Sequence, residues 1–119
     1  MLKFLESICK DNSILLHRFG LGERTNGVAI KLPECGTRAI AYNETLEGWE
    51  KIKVIAHEIG HHALGHLDDS VCAFDKHINK NATEELNRRE REAEIFAAAF
   101  TAVAMFVEQA INKEEVIIA

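Results

Sequence analysis

Residues 57–61 read His-Glu-Ile-Gly-His, and this pentapeptide constrains the fold more than any other stretch of the chain. Two histidines four apart stand on one face of a helix, about one turn from each other. From there two imidazole nitrogens can reach a single Zn²⁺ at about 2.0–2.1 Å without bending the helix. Glu58 follows the first histidine directly, so its carboxylate projects to one side of such an ion. There it can take a proton from a water at the metal and hand it to a departing amine. The pattern H-E-x-x-H also arises by accident on solvated helices, and the flanking residues argue against that here. Trp49, Ile52, Ala56, Ile59, Ala63 and Leu64 recur at helical spacing and predict a docked apolar face. Gly60 lies between the histidines on the inward side, where a missing side chain lets a second backbone approach. It costs about 1 kcal/mol of helix propensity against Ala.

A chain of 119 residues forms one domain, residues 1–119, with room for a core. The net charge of −5, with no basic stripe among the scattered Lys and Arg, argues against a nucleic-acid binder. Cys9, Cys35 and Cys72 are odd in number and widely spaced, which predicts free thiols and a cytoplasmic location. The opening MLKFLESICK alternates charged and apolar residues and reads as neither signal peptide nor membrane span. Residues 95–107 are the longest apolar run, too short to cross a bilayer, and predict a buried core helix.

Taken in order, Leu2, Leu5, Ile8 and Cys9 mark the inner face of a short helix ending near Asp11-Asn12. Residues 13–19 suit a strand, and the glycines of residues 20–27 predict a loop. Residues 28–32 and 38–42 alternate around Pro33-Glu34-Cys35-Gly36-Thr37, the pattern of a β-hairpin. Cys35 on that turn reads as a surface thiol, since no base or partner cysteine is near it in sequence. Asn43 or Thr45 can cap a helix over about residues 46–67, which carries the paired histidines. The hairpin edge beside that helix could hold an extended peptide by main-chain pairing. Residues 71–80 are ambiguous. Asn81 with Glu84 resembles a capping box, with Thr83 a rival cap, and opens a helix to about residue 110 that becomes apolar as it proceeds. The tail from 112 to 119 fits either a strand or a final helical turn.

Two histidines do not complete a catalytic zinc site; a third protein ligand and a water are usual. Downstream candidates are Asp68, Asp69, Asp75, His77, Glu84, Glu85, Glu90, Glu92 and Glu94. Ala93, Ala97, Phe100 and Ala104 mark the inward face of the last helix, and Glu90 extends that row backwards. Glu90 is therefore the favoured ligand, with Glu94 its rival and otherwise suited to hydrogen-bond a ligand histidine. Glu92 and Glu85 are expected on a solvated face paired to Arg88, Arg89 and Arg91. His62 and His66, also four apart, offer a second metal pair without an acid beside them. Stabilisation of a developing oxyanion is open among His66, Tyr42 and Arg38.

Three blocks together, IAYNETL, IKVIAHEIGHHALGH and EREAEIFAAAF, resemble the ImmA/IrrE family of metallopeptidase-like proteins. Asn43, Ala56 to His61, Leu64 and, one residue further on, His66 correspond to that family's strand-ending Asn and its A-H-E-L-G-H-x-x-L-H-like helix. Glu90, Ala93, Phe96 and Ala97 stand where it has E-x-x-A-N-x-F-A, with Glu94 in place of the usual Asn or Asp. The family's L-L-M-P ending is replaced by Phe100-Thr101-Ala102-Val103.

The resemblance implies Zn²⁺ on His57, His61 and Glu90, Glu58 as catalytic base, and a gluzincin-like enzyme. The expected fold is α+β. A small antiparallel sheet of about three strands packs against the metal-binding helix and a long C-terminal helix, as in a minimal zincin-like domain. The expected activity is zinc metalloendopeptidase cleavage of a cytoplasmic regulatory protein. By the resemblance this is a separate helix-turn-helix repressor of a mobile element or stress response, with no direct nucleic-acid or membrane partner. The alternatives are an inactive protein-binding module that sequesters a repressor or toxin, and a small-amide hydrolase.

Overall fold

The computed structural model describes residues 1–32, 34–68, 72–74 and 84–112. Along these the chain forms α1 (Leu2–Asp11), β1 (Ile14–Phe19), β2 (Gly27–Lys31), β3 (Arg38–Asn43), α2 (Gly48–Ala63), β4 (Cys72–Phe74) and α3 (Glu84–Asn112). The class is α+β, as the sequence predicts, with the long last helix and the histidine-bearing helix both present. Asp69, Asp75, His77, Pro33, the capping residues Asn81 and Thr83, and the tail from 113 onward lie outside the described residues.

The sheet departs from the antiparallel expectation. Its strand order is β1-β3-β2-β4, and β1 runs parallel to β3 while β2 pairs antiparallel with both β3 and β4. The reason lies in the loop over residues 20–26. Phe19 at the end of β1 pairs with Asn43, and Gly27 at the start of β2 pairs with Tyr42. The intervening loop therefore arches over the end of β3, a span of roughly two strand spacings or 10 Å. Asn43, buried at that end, donates from Nδ2 to the carbonyls of Gly22 at 2.6 Å and Thr25 at 2.9 Å. Its Oδ1 accepts the Thr45 amide at 3.4 Å. Asn43 thus holds the crossing loop instead of capping a helix. Within the ambiguous residues 71–80, Cys72–Phe74 forms the short strand β4 at the other edge.

Leu5 and Cys9 of α1, Ile14 of β1, Ile40 of β3, and Ile52, Ile55 and Ile59 of α2 form one buried cluster. Phe96 and Phe100 of α3 stack on each other, 5.5 Å between centroids, and pack against it. With the sheet on one side and α3 on the other, α2 is buried from Val54 to His62. Trp49, Ala63 and Leu64, which the spacing placed on the docked face, are exposed near its ends.

The helix is also shorter than residues 46–67. Gly65 adopts φ +73°, its amide bonds to the His62 carbonyl and the His66 amide to the His61 carbonyl. That is a Schellman ending, which a left-handed glycine terminates. His66 therefore lies beyond the helix and folds back over its last turn.

The apolar half of α3 is not the buried core element that its composition predicts. Ala93, Ala97, Thr101 and Ala104 are buried in a single stripe, whereas Ile95, Val103 and Phe106 are 69%, 64% and 72% exposed. By length and composition alone the helix could cross a membrane. Its inward stripe packs on the domain.

Gly60 is where α2 and α3 come together. A Cβ there would lie 3.0 Å from Phe96 Cδ1 and 3.4 Å from the Ala93 Cα. Gly60→Val should therefore overpack this contact and lower stability by about 1–3 kcal/mol. Urea unfolding reads this directly, and an unchanged midpoint would show that the helices do not depend on the close approach.

Candidate metal centre

The helical spacing of His57 and His61 sets their rings side by side near the end of α2. Both are buried, and their Nε2 atoms lie 3.2 Å apart. Across the Gly60 contact α3 brings Glu90, one turn before the buried Ala93. Its Oε2 lies 3.0 Å from His57 Nε2 and its Oε1 3.1 Å from His61 Nε2. Burial works to raise the Glu90 carboxyl, but the hydrogen bonds from His57 and His61 outweigh it and bring its pKa down to about 2. The carboxylate is thus charged at any ordinary pH.

Glu58 is fully buried, and its ligand-type atom lies within 4.8 Å of those of His57 and His61. It runs beneath the start of β2. A Cβ on Gly27 would stand 2.8 Å from Val54 Cγ1 and 3.1 Å from Glu58 Cγ, so the strand passes this closely only with glycine there.

These residues suit a divalent ion. Donors held at about 2.0–2.1 Å in a tetrahedron are roughly 3.3 Å from each other. The two Nε2 atoms and the Glu90 oxygens have separations of 3.2, 3.0 and 3.1 Å. Two neutral imidazoles and one carboxylate are also a donor set known for catalytic zinc.

What lies behind the imidazoles fits as well. Glu94 Oε1 is 3.2 Å from His57 Nδ1, the position its place one turn after Glu90 suggests. His61 Nδ1 meets His66 Nδ1 at 3.0 Å, and His66 Nε2 meets Glu92 Oε1 at 2.9 Å. Glu92 is thus not confined to a solvated face. It binds Arg88 with Oε2 at 3.1 Å and His66 with Oε1. Glu85 does pair with Arg88 and Arg89 on the exposed face, as expected. Arg89 also reaches over to donate to the His66 carbonyl at 2.9 Å. The signal for this cluster was Gly65: ending the helix there turns His66 back toward α3.

His62 and His66 do not form a second pair. The His62 ring donates from Nε2 to the Ala39 carbonyl at 3.0 Å, tying α2 to β3. Burial between helix and sheet holds its pKa below the usual value, against the opposing effect of that bond. Burial likewise lowers the His66 pKa, with Glu92 opposing. Arg38 donates to the Asn12 carbonyl, and Tyr42 packs against the apolar core cluster. Asp68 is exposed and pairs with Lys31 at 2.9 Å. Cys35 is exposed on the hairpin turn, as predicted, where a hydrogen bond with Thr37 lowers its pKa.

Residues 9–102, most of the chain, match the family model for the IrrE N-terminal-like domain, Peptidase M78. No curated protein matches the sequence.

The geometry predicts that the purified protein takes up one equivalent of zinc. His57→Ala, His61→Ala and Glu90→Ala should each lose it, and Glu94→Ala should keep it. Metal content by mass spectrometry checks this, and zinc retained by Glu90→Ala would remove that residue from the ligand set.

Proposed function

Since the chain belongs to the IrrE N-terminal-like (M78) peptidase family, we propose that it is a zinc-dependent metalloendopeptidase. The observation that carries this reading is the convergence of two buried imidazoles from α2 and one charged carboxylate from α3 on a common point. His57, His61 and Glu90 would hold the Zn²⁺. When bound, the ion supplies a Lewis acid that polarises the scissile carbonyl and makes water acidic enough to attack near neutral pH. Glu58, set beside the imidazoles and closed off from bulk solvent under Gly27, takes the proton from the attacking water. The same carboxyl then delivers that proton to the leaving nitrogen, so the base is restored at the end of each cycle.

The proposed substrate is a cytoplasmic regulatory protein, a separate helix-turn-helix repressor of mobile-element or stress-response genes. Support for that part is the resemblance of the three sequence blocks around Asn43, His57 to His66, and Glu90 to Ala97.

Glu58→Gln keeps the shape of the side chain and removes its basicity. Zinc content should stay at one equivalent while peptide-bond cleavage falls by about 10²–10⁴-fold, the usual contribution of a positioned acid–base group. Fragment analysis of a co-expressed repressor by mass spectrometry measures it. Undiminished cleavage by Glu58→Gln would take the base role away from this residue, and absence of zinc-dependent fragments with the native protein would favour a binding module.

A further inference from the structure

We propose that His66 and Glu92 are positioning residues that fix which nitrogen of His61 faces the metal. The inference rests on the ligand set argued above and extends it outward. His61 Nδ1 and His66 Nδ1 lie 3.0 Å apart, and His66 Nε2 lies 2.9 Å from Glu92 Oε1. An ionised carboxylate only accepts hydrogen bonds, so His66 places its proton on Nε2. In the neutral ring that leaves a lone pair on Nδ1, which then accepts from His61 Nδ1–H. With the ion bound, His61 keeps its proton on Nδ1 and turns its lone pair out through Nε2, the atom that lies beside Glu90 and His57 Nε2. One chain of hydrogen bonds running from Glu92 through His66 thus sets the tautomer and ring angle of a ligand and strengthens it as a donor.

The surrounding structure holds this chain in place. Gly65 at φ +73° reverses the backbone so that His66, five residues after His61, returns over it. Arg89 grips the His66 carbonyl at 2.9 Å, and Arg88 holds the second oxygen of Glu92 at 3.1 Å. Both arginines and Glu92 belong to the same two turns of α3 that deliver Glu90. The helix that supplies the third ligand therefore also orients the second.

The test uses the full chain. Zinc affinity, by competition with a chromophoric chelator, is compared among native protein, His66→Leu, His66→Gln, Glu92→Ala and His57→Ala. His66→Leu should bind zinc about 10–100-fold more weakly, as loss of such an outer partner typically does, and Glu92→Ala should lose less. Gln can accept with its oxygen and donate with its amide, so His66→Gln should return most of the affinity. A readout that simple packing would not move is nitrogen-15 NMR of the zinc-loaded protein. It should show His66 protonated on Nε2 only, and an exchange-protected His61 Nδ1 proton that disappears in His66→Leu. Loss of zinc in His57→Ala with unchanged affinity in His66→Leu and Glu92→Ala overturns the relay alone, as does a His66 protonated on Nδ1. Zinc held at native affinity by His57→Ala overturns the ligand set and the relay with it.

Discussion

The crossing of α2 and α3 at Gly60 is the contact on which the remaining features depend. It brings a carboxylate 33 residues from His57 in sequence into hydrogen-bonding distance of both imidazoles. Burying a charged carboxylate is unfavourable unless it is paired, and Glu90 is paired with ring nitrogens that a divalent ion would also use. A side chain at position 60 would meet Phe96 and the Ala93 backbone, so the glycine that weakens the helix locally is what allows the site to close. Phe96 and Phe100 carry the same contact into the apolar cluster, which links the candidate metal centre to the packing of the domain.

The sheet serves α2 from the opposite side. Ile40 and Ile14 pack with Ile52, Ile55 and Ile59 in one cluster, and the His62–Ala39 bond ties the helix to β3. At the start of β2, Gly27 lets the strand run against Glu58. Asn43 completes this arrangement by holding the loop that delivers the chain from β1, across β3, to Gly27. Glu58 is fully buried among these contacts, and preorganisation of that kind is what the acid–base role proposed for it requires.

Much of this was legible in the sequence because periodicity reports which residues share a helical face. The pair His57 and His61, the inward glycine and the backward extension of the alanine row to Glu90 all follow from that single rule, which also put Glu94 within reach of the site without choosing its partner. Two things did not. Strand direction depends on where a loop crosses, and nothing in the alternation of residues 13–19 indicates that β1 neighbours β3 and not β2. The His66–Glu92 contact depends on a helix ending two residues before Gly65. Reading Gly65 as a left-handed stop, the ordinary role of glycine just past a helix, would have shortened α2 and turned His66 inward. The apolar run of α3 misled for another reason: composition records hydrophobicity, but among the described residues one stripe alone finds neighbours to pack against.

A zinc ion held between α2 and α3 would be defined most directly by its donor atoms. X-ray absorption at the zinc edge, on protein loaded with one equivalent, should give two imidazole nitrogens and oxygen donors at about 2.0–2.1 Å. In Glu90→Gln the oxygen shell should change while both imidazoles stay. A spectrum with one imidazole or none, or an oxygen shell indifferent to Glu90, would contradict a centre built from α2 and α3.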